Sequence, residues 1–413
     1  MPSTHSFSLA ATPTTLAPCC APPLVAAFAA LPDPRARQGR RFTLAALLTL
    51  AVAAMLANHL SPFAIAAWGA EQDAASTRAM GFKGVTPHQS TFQRLFRRLD
   101  PALLSTALTA HCASHIAAAP RMRGAAGVAV DGKAQRGRLA FASAPGCPVH
   151  ALTAYAHDAA VVLAQEEIVS DADKAEAELT VAPRLIARLA WHGRVMTGDA
   201  LFCQRRLCAQ VCAANGERER SEPILIVKEN QPQLHRDIAT LFASRADAAL
   251  AAASLPTWDM RAAVSEERGH GRQEQRRLTA STALNDYLDW PGVGQVVMIE
   301  RTWWERGEWK EAVRYAITSL PPDVADVARL LALVRGHWQI ENGLHYVKDV
   351  TLGEDRSLIR TGHGPSIMAI LRDTVVSVLH RAGWRTIAER LRYYSGHPKE
   401  VLTLLGIPVA ENA

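Results

Sequence analysis

Between residues 125 and 230, short apolar runs alternate with segments of helical period, and this alternation constrains the fold more than any other feature of the chain. "GVAVDG", "HALTAYAHD", "AVVLAQEEIV", "RVMTGDAL" and "EPILIVKEN" have the length and composition of strands. "ADKAEAELTVAPRLIARLAWH" has helical spacing, as does "FCQRRLCAQVCAANG", which stops at Gly216. The order strand, strand, strand, helix, strand, helix, strand predicts an α/β fold: a mixed sheet flanked by helices.

The flanking regions read differently. Residues 1–22 are rich in Ser, Thr, Pro and Ala and are expected to form a flexible arm. Residues 23–120 read as helices punctuated by prolines, with 43–58 apolar enough for a buried helix but short for a membrane span. In "TPHQSTFQRLFRRLDPALL", Leu95, Phe96 and Leu99 form an apolar face, and Arg94, Arg97 and Arg98 lie on or beside the other. Such a basic helix after a turn suits a helix-turn-helix that binds DNA, or an ordinary bundle with a solvated basic face. A first part of the sheet domain then spans 121–234. Residues 235–320 break the rhythm with "QEQRRLTAST", "GQVVMIERTWWER" and "EWKEAVRYAITSL", a β-rich insertion. Residues 321–395 return to helix, and 396–413 are left as a tail.

With 413 residues, 49% of them hydrophobic, the chain has room for two or three domains and is not a disordered polymer. A net charge of +6 is compatible with a polyanionic partner without requiring one. Seven cysteines in a long chain argue against a secreted disulfide framework. Cys203, Cys208 and Cys212 lie in a helical pattern without a complementary CxxC or histidine pair, so they read as buried thiols rather than zinc ligands. No basic region precedes the first apolar run, so a cytoplasmic protein is the expectation.

Two strands end on a carboxylate: Asp131 in "GVAVDG" and Asp199 in "VMTGDALF". Ligands of open α/β sheets sit at such strand ends. Either residue also has a plain explanation, a turn at Asp131-Gly132 and a helix cap at Asp199. If the strands are neighbours, the two carboxylates repel, and a divalent cation relieves that. Ligands made only of oxygen suit Mg²⁺ or Mn²⁺. A third acid, Glu341, lies in "RGHWQIENGLHYVKDV", where helical spacing places His337, Glu341, His345 and Lys348 on one face around Leu344.

With these acids assembled, the chain resembles the DDE-type insertion-sequence transposases of the H-repeat-associated protein family. "LPDPRARQGRRFTLAALLTLAVAAMLAN" and "SPFAIAAWG" look like its N-terminal associated domain. "VAVDGKAQRG" and "TGDALFCQ" match its first two acid motifs, "HGRQEQRRL" its basic insertion motif, and "HWQIENGLHYVKDVTLGEDRS" its third acid motif. The resemblance implies an RNase H-like core with Asp131, Asp199 and Glu341 as catalytic and metal-binding triad. It also implies two Mg²⁺ (or Mn²⁺) ions, cleavage of insertion-sequence ends in double-stranded DNA, strand transfer to target DNA, and a homodimer on paired ends. Glu354 and Asp355 are rival third acids. Of the wider group's tyrosine, arginine, glutamate and lysine signature, Glu341 and Lys348 fit the last two positions, while Val334 and His337 stand in the first two. Lys133, Arg136, Arg138, Arg272, Arg276, His337 and Lys348 would then hold DNA phosphates, positioning the strand without reading bases. Trp303, Trp304 and Trp309 suit base stacking, with core packing expected for at least two. A nuclease without strand transfer and an inactive DNA-binding relic are the competing readings.

Overall fold

The computed structural model describes residues 24–116, 126–135, 150–168, 170–171, 174–175, 177–191, 193–213, 222–243, 259–269 and 272–409. The predicted arm, Arg136 and Arg138 lie outside these residues.

A mixed nine-stranded sheet forms the centre, in the order β3-β2-β1-β4-β5-β9-β8-β7-β6. Its strands are β1 (Ala126–Ala134), β2 (His150–Ala156), β3 (Val161–Ile168), β4 (Arg194–Gly198), β5 (Glu222–Val227), β6 (Arg261–Gly269), β7 (Arg272–Ser281), β8 (Gln295–Glu305) and β9 (Glu308–Thr318). β1, β2 and β3 form an antiparallel meander, whereas β1, β4 and β5 run parallel. Strands covered on both faces need continuous apolar runs, which is why Val128, Ala129 and Val130 are all buried. Helix α7 (Glu178–Ala187) packs on β2 and β3, and α10 (Val327–Gln339) packs on β1 and β4. α8 (Arg205–Ala213) and α9 (Pro232–Ala243) lie on the same face as α7, and α10 covers the opposite face.

The insertion is not a separate β-rich body. β9 pairs antiparallel with β5, from Tyr315↔Val227 to Thr318↔Ile224, so its strands extend the core sheet. Its first described element is the helix α9. Beyond the paired region β9 is mostly exposed, and so are Trp304 and Trp309, which meet edge to face. Core packing of two of the three tryptophans is therefore not what occurs: they stand near the far turn of a hairpin too long for the core to cover.

Before the sheet come α1 (Leu24–Ala29), α2 (Leu44–Leu56), α3 (Pro62–Glu71), α4 (Ala74–Ala79), α5 (Gln89–Phe96) and α6 (Pro101–Ile116). By length and composition the stretch 37–56 is apolar enough to cross a membrane. Here α2 is a core helix, with Leu47, Leu48, Leu50 and Met55 fully buried. The basic helix α5 has only eight residues, and Arg97 and Arg98 lie beyond its last turn. α11 (Gly364–Arg381) packs against α2, α6 and β3, so one apolar core joins the N-terminal helices to the sheet.

The C-terminus is also more ordered than a tail. After α12 (Ile387–Ser395), α13 (Pro398–Leu404) buries Val401 and Leu402, and Leu405 and Ile407 follow them into the same core.

Candidate active site

β1 and β4 are adjacent and in parallel register, with Val130 opposite Gly198. The next residues are Asp131 and Asp199, so both carboxylates leave the sheet at the same edge. The burial that makes β1 a core strand also strips water from Asp131. Its carboxyl is pushed up to about 7, first by burial and then by the charges of Glu178, Glu341 and Asp199. The three acids singled out in the sequence are thus within electrostatic reach of one another. Among the described residues, no group of three His, Cys, Asp or Glu side chains is arranged as a ligand set for one ion. Convergence is electrostatic in this conformation, with Glu341 exposed on its helix.

Glu178, at the start of α7, is a fourth acid that sequence reasoning missed. Its carboxylate lies against Gly132, where a Cβ would come within 2.0 Å of Oε1. Gly132 therefore provides the space beside Asp131. Burial and the charge of Asp199 raise the carboxyl of Glu178 as well. Nothing in "ADKAEAELTV" separates Glu178 from the acids around it, so one sequence offers no signal for it.

Asp199 also caps the short turn that follows, accepting from the Leu201 amide at 2.9 Å. The plain reading of this residue is correct, and it coexists with a place at the acidic edge. Behind Asp199, the Thr197 hydroxyl lies 3.1 Å from His337 Nδ1 and 3.0 Å from His157 Nε2. Burial lowers both histidines, His157 to about 3. His157 occupies the space a side chain at Gly127 or Gly336 would need, which lets α10 approach β1 closely. His337 is therefore bonded toward the sheet rather than presented to phosphate.

The α-helix gives way to π-helical turns at Ile340–His345 and Val347–Thr351. The wider turn breaks the single face expected from helical spacing. His345 Nδ1 reaches Asp131 at 3.5 Å. Burial and the neighbouring Lys348 and Lys133 push His345 down to about 3, so it meets the carboxyl as a neutral ring.

Lys348 turns inward. It is 2% exposed, with its ammonium 2.8 Å from Asp373 and 3.6 Å from Glu354. Lys133 is buried too, 2.6 Å from Asp349 and 3.3 Å from Glu354. Both lysines were expected on DNA, but these carboxylates hold them inside the protein. The same network settles the geometry of Glu354, which is buried among Lys133, Lys348 and Arg372 and held below its usual range by them despite its burial. Arg276 is likewise drawn into an ion pair with Glu274, which also binds Arg301 at 2.7 Å. Arg272 opens β7, while Arg94, Arg97 and Arg98 remain exposed at α5. Cys203 and Cys208 are buried, and the Trp290 indole donates to the Cys208 sulfur.

A groove of about 740 Å³ opens beside Asp199. Lys228, Asn230 and His235 line it from the end of β5 and from α9, and Arg314 from β9. Lys228 and Asn230 follow the strand "EPILIV", so the strand-end rule that found Asp131 and Asp199 also points to them.

The transposase DDE-domain family model matches residues 127–379, and the DDE-associated family model matches 25–112. The chain belongs to the DDE-domain transposase family. The match spans the strands that carry both aspartates and the helix that carries Glu341. Among curated relatives, "Putative transposase YncI" of Escherichia coli O157:H7 is 27% identical over 260 residues, 61% of either chain. "H repeat-associated putative transposase YhhI" of Escherichia coli K12 is 25% identical over 266 residues, 61% of this chain and 63% of that one. An uncharacterised protein in the dhlA 3′ region of Xanthobacter autotrophicus is 27% identical over 280 residues, 66% of this chain and 86% of that one. The matched part of this transposase-family chain thus covers about three fifths of the length of the two named E. coli relatives.

Proposed function

We propose that the chain is a transposase that cuts insertion-sequence ends in double-stranded DNA and joins them to target DNA. The observation that carries this reading is the convergence of Asp199, Glu341 and Glu178 on Asp131 at one sheet edge, within a chain of the DDE family. The meander of β1–β3 followed by parallel β4 and β5 supports an RNase H-like core. Family membership and the named relatives support a DNA-acting enzyme over a binding relic.

The donor set fits a hard divalent cation. It consists of oxygens only, and burial together with the neighbouring carboxylates pushes Asp131 up to about 7, a charge conflict that a cation relieves. Asp131, Asp199 and Glu341 would hold two Mg²⁺ or Mn²⁺ ions. Bound there, the ions supply Lewis-acid stabilisation of the phosphodiester and a nucleophilic water or 3′-hydroxyl at neutral pH. The protein does the positioning. Lys228 and Arg314 flank Asp199 and hold the strand by its phosphates. Thr197, bonded to His337 and His157, fixes the end of β4. Glu178 adds negative charge behind Asp131. In this reading Lys348 and Lys133 orient the site through Glu354 instead of touching DNA. Two copies on paired ends remain part of the proposal.

Incubation of the full chain with end-containing duplex and Mg²⁺ tests it. Joined products are expected. Nicks without joining support the nuclease reading, and a bound duplex left intact supports the relic. Alanine at Asp131, Asp199 or Glu341 is expected to abolish cleavage and leave duplex binding largely intact.

A further inference from the structure

A second groove, about 820 Å³ in volume, runs between the N-terminal helices and the segment after the π-helical turns. α3 and α5 form one wall and residues 352–361 the other. Arg94, Arg97, Arg356, Arg360 and Arg372 line it, and no described carboxylate does. Arg372 is buried and lies 3.9 Å from Glu354. Arg94, Arg97 and Arg356 are exposed, and none of these three forms an ion pair among the described residues. Cations gathered in a concave, partly apolar groove repel one another, and an anionic ligand relieves that strain.

The groove is not merely basic. Phe63 on one wall is 67% exposed and Leu358 on the other is 79% exposed. Two large apolar side chains left exposed on the walls of one groove are unfavourable in water, and a partner that covers them removes that cost. The occupant should therefore carry phosphates and flat apolar surface together. A duplex keeps the flat faces of its bases stacked inside and offers such a groove sugar, phosphate and base edges. An unpaired strand offers both, because its bases are free to lie on aromatic and aliphatic side chains.

We propose that this groove binds a single-stranded stretch of DNA, with phosphates on Arg94, Arg97 and Arg356 and bases against Phe63 and Leu358. The proposal rests on the reading of the chain as a DNA-acting enzyme, but not on the acids of the sheet edge. It also gives the N-terminal helices a task shared with the core: both walls are needed to hold the strand.

Fluorescence anisotropy on the full chain, with a labelled oligothymidylate of roughly 12 nucleotides and a blunt duplex of similar length, tests this. Arg94→Glu combined with Arg356→Glu is expected to weaken oligothymidylate binding at least about tenfold. Phe63→Ala combined with Leu358→Ala is expected to weaken it about fivefold while changing duplex binding less than about twofold. Circular dichroism checks that both variants keep the fold. Oligothymidylate affinity within about twofold of the wild type in either variant overturns the proposal. Equal weakening of strand and duplex by the apolar pair overturns it too, since the groove is then only a phosphate patch. Cleavage of end-containing duplex by the wild type is followed in parallel. Cleavage with unaltered oligothymidylate binding removes the groove and keeps the acid site, whereas groove-dependent binding without cleavage does the reverse.

Discussion

Asp131 is a strand residue, and therefore buried, where it reaches the shared edge, and holding the proposed cation would require it ionised. The two conditions conflict. Its carboxyl, pushed up to about 7 by burial and by three neighbouring acids, prefers a proton in the folded chain at a pH where the unfolded chain has lost it. Between about pH 4 and about pH 7 the native state binds more protons than the unfolded one, so rising pH removes stability. Asp131→Asn escapes this. Without divalent cation the variant is expected to be more stable than wild type by about 1–3 kcal/mol at about pH 8, with the gap closing toward about pH 4. Urea unfolding across that range measures it, and an Asn variant less stable than wild type at high pH contradicts the account. Glu178→Gln removes the first-named charge acting on Asp131. It is expected to lower the pH at which the loss of stability levels off, read from the same unfolding curves.

At the scale of elements, the π-helical turns decide which side chains reach the site. They place His345 against Asp131 and rotate Lys348 away from solvent into Asp373 and Glu354, which ties this segment to α11. Lys348→Met would leave buried Asp373 without its ion-pair partner and Glu354 with one cation fewer, and is expected to cost about 3–5 kcal/mol in urea unfolding. A lysine that served only DNA would leave stability within about 0.5 kcal/mol of wild type. The sequence does not reveal this turn, because no residue type in "IENGLHYVKDVT" separates a π-helix from an α-helix. The core strands were legible for the opposite reason: Val128 to Val130, Val195 to Thr197 and Ile224 to Leu225 are apolar or small runs that only a covered sheet explains. β6 was not foreseen, since "RAAVSEERG" is mostly exposed and ends in the charged run Glu266, Glu267 and Arg268 rather than presenting an apolar face. Both aspartates are legible as strand-end residues, but a turn and a helix cap explain them as well until Glu341 is set beside them. Glu178, reaching the site from the start of a helix, could not.

The molecule as a whole is held by a core that ignores the boundary between its matched family regions. Leu47, Leu48 and Met55 of α2 belong to the same buried cluster as Val375, Val376 and Leu379 of α11 and Leu402 of α13. The N-terminal helices and the acid-bearing sheet are therefore expected to unfold together. Leu48→Ala, about 2–5 kcal/mol destabilising, should lower one calorimetric transition without splitting it. Two transitions, with only the first displaced, would show that the helices melt independently.

Asp131, Asp199 and Glu341 are proposed to close into one cation site. Mn²⁺ binding to the full chain, followed by electron paramagnetic resonance of the free ion, addresses this without depending on activity. Asp131→Asn, Asp199→Asn and Glu341→Gln are each expected to weaken binding at least about tenfold, whereas Glu354→Gln should have a smaller effect. If Glu341→Gln binds Mn²⁺ as tightly as wild type, the third acid lies elsewhere and the single-site account is wrong.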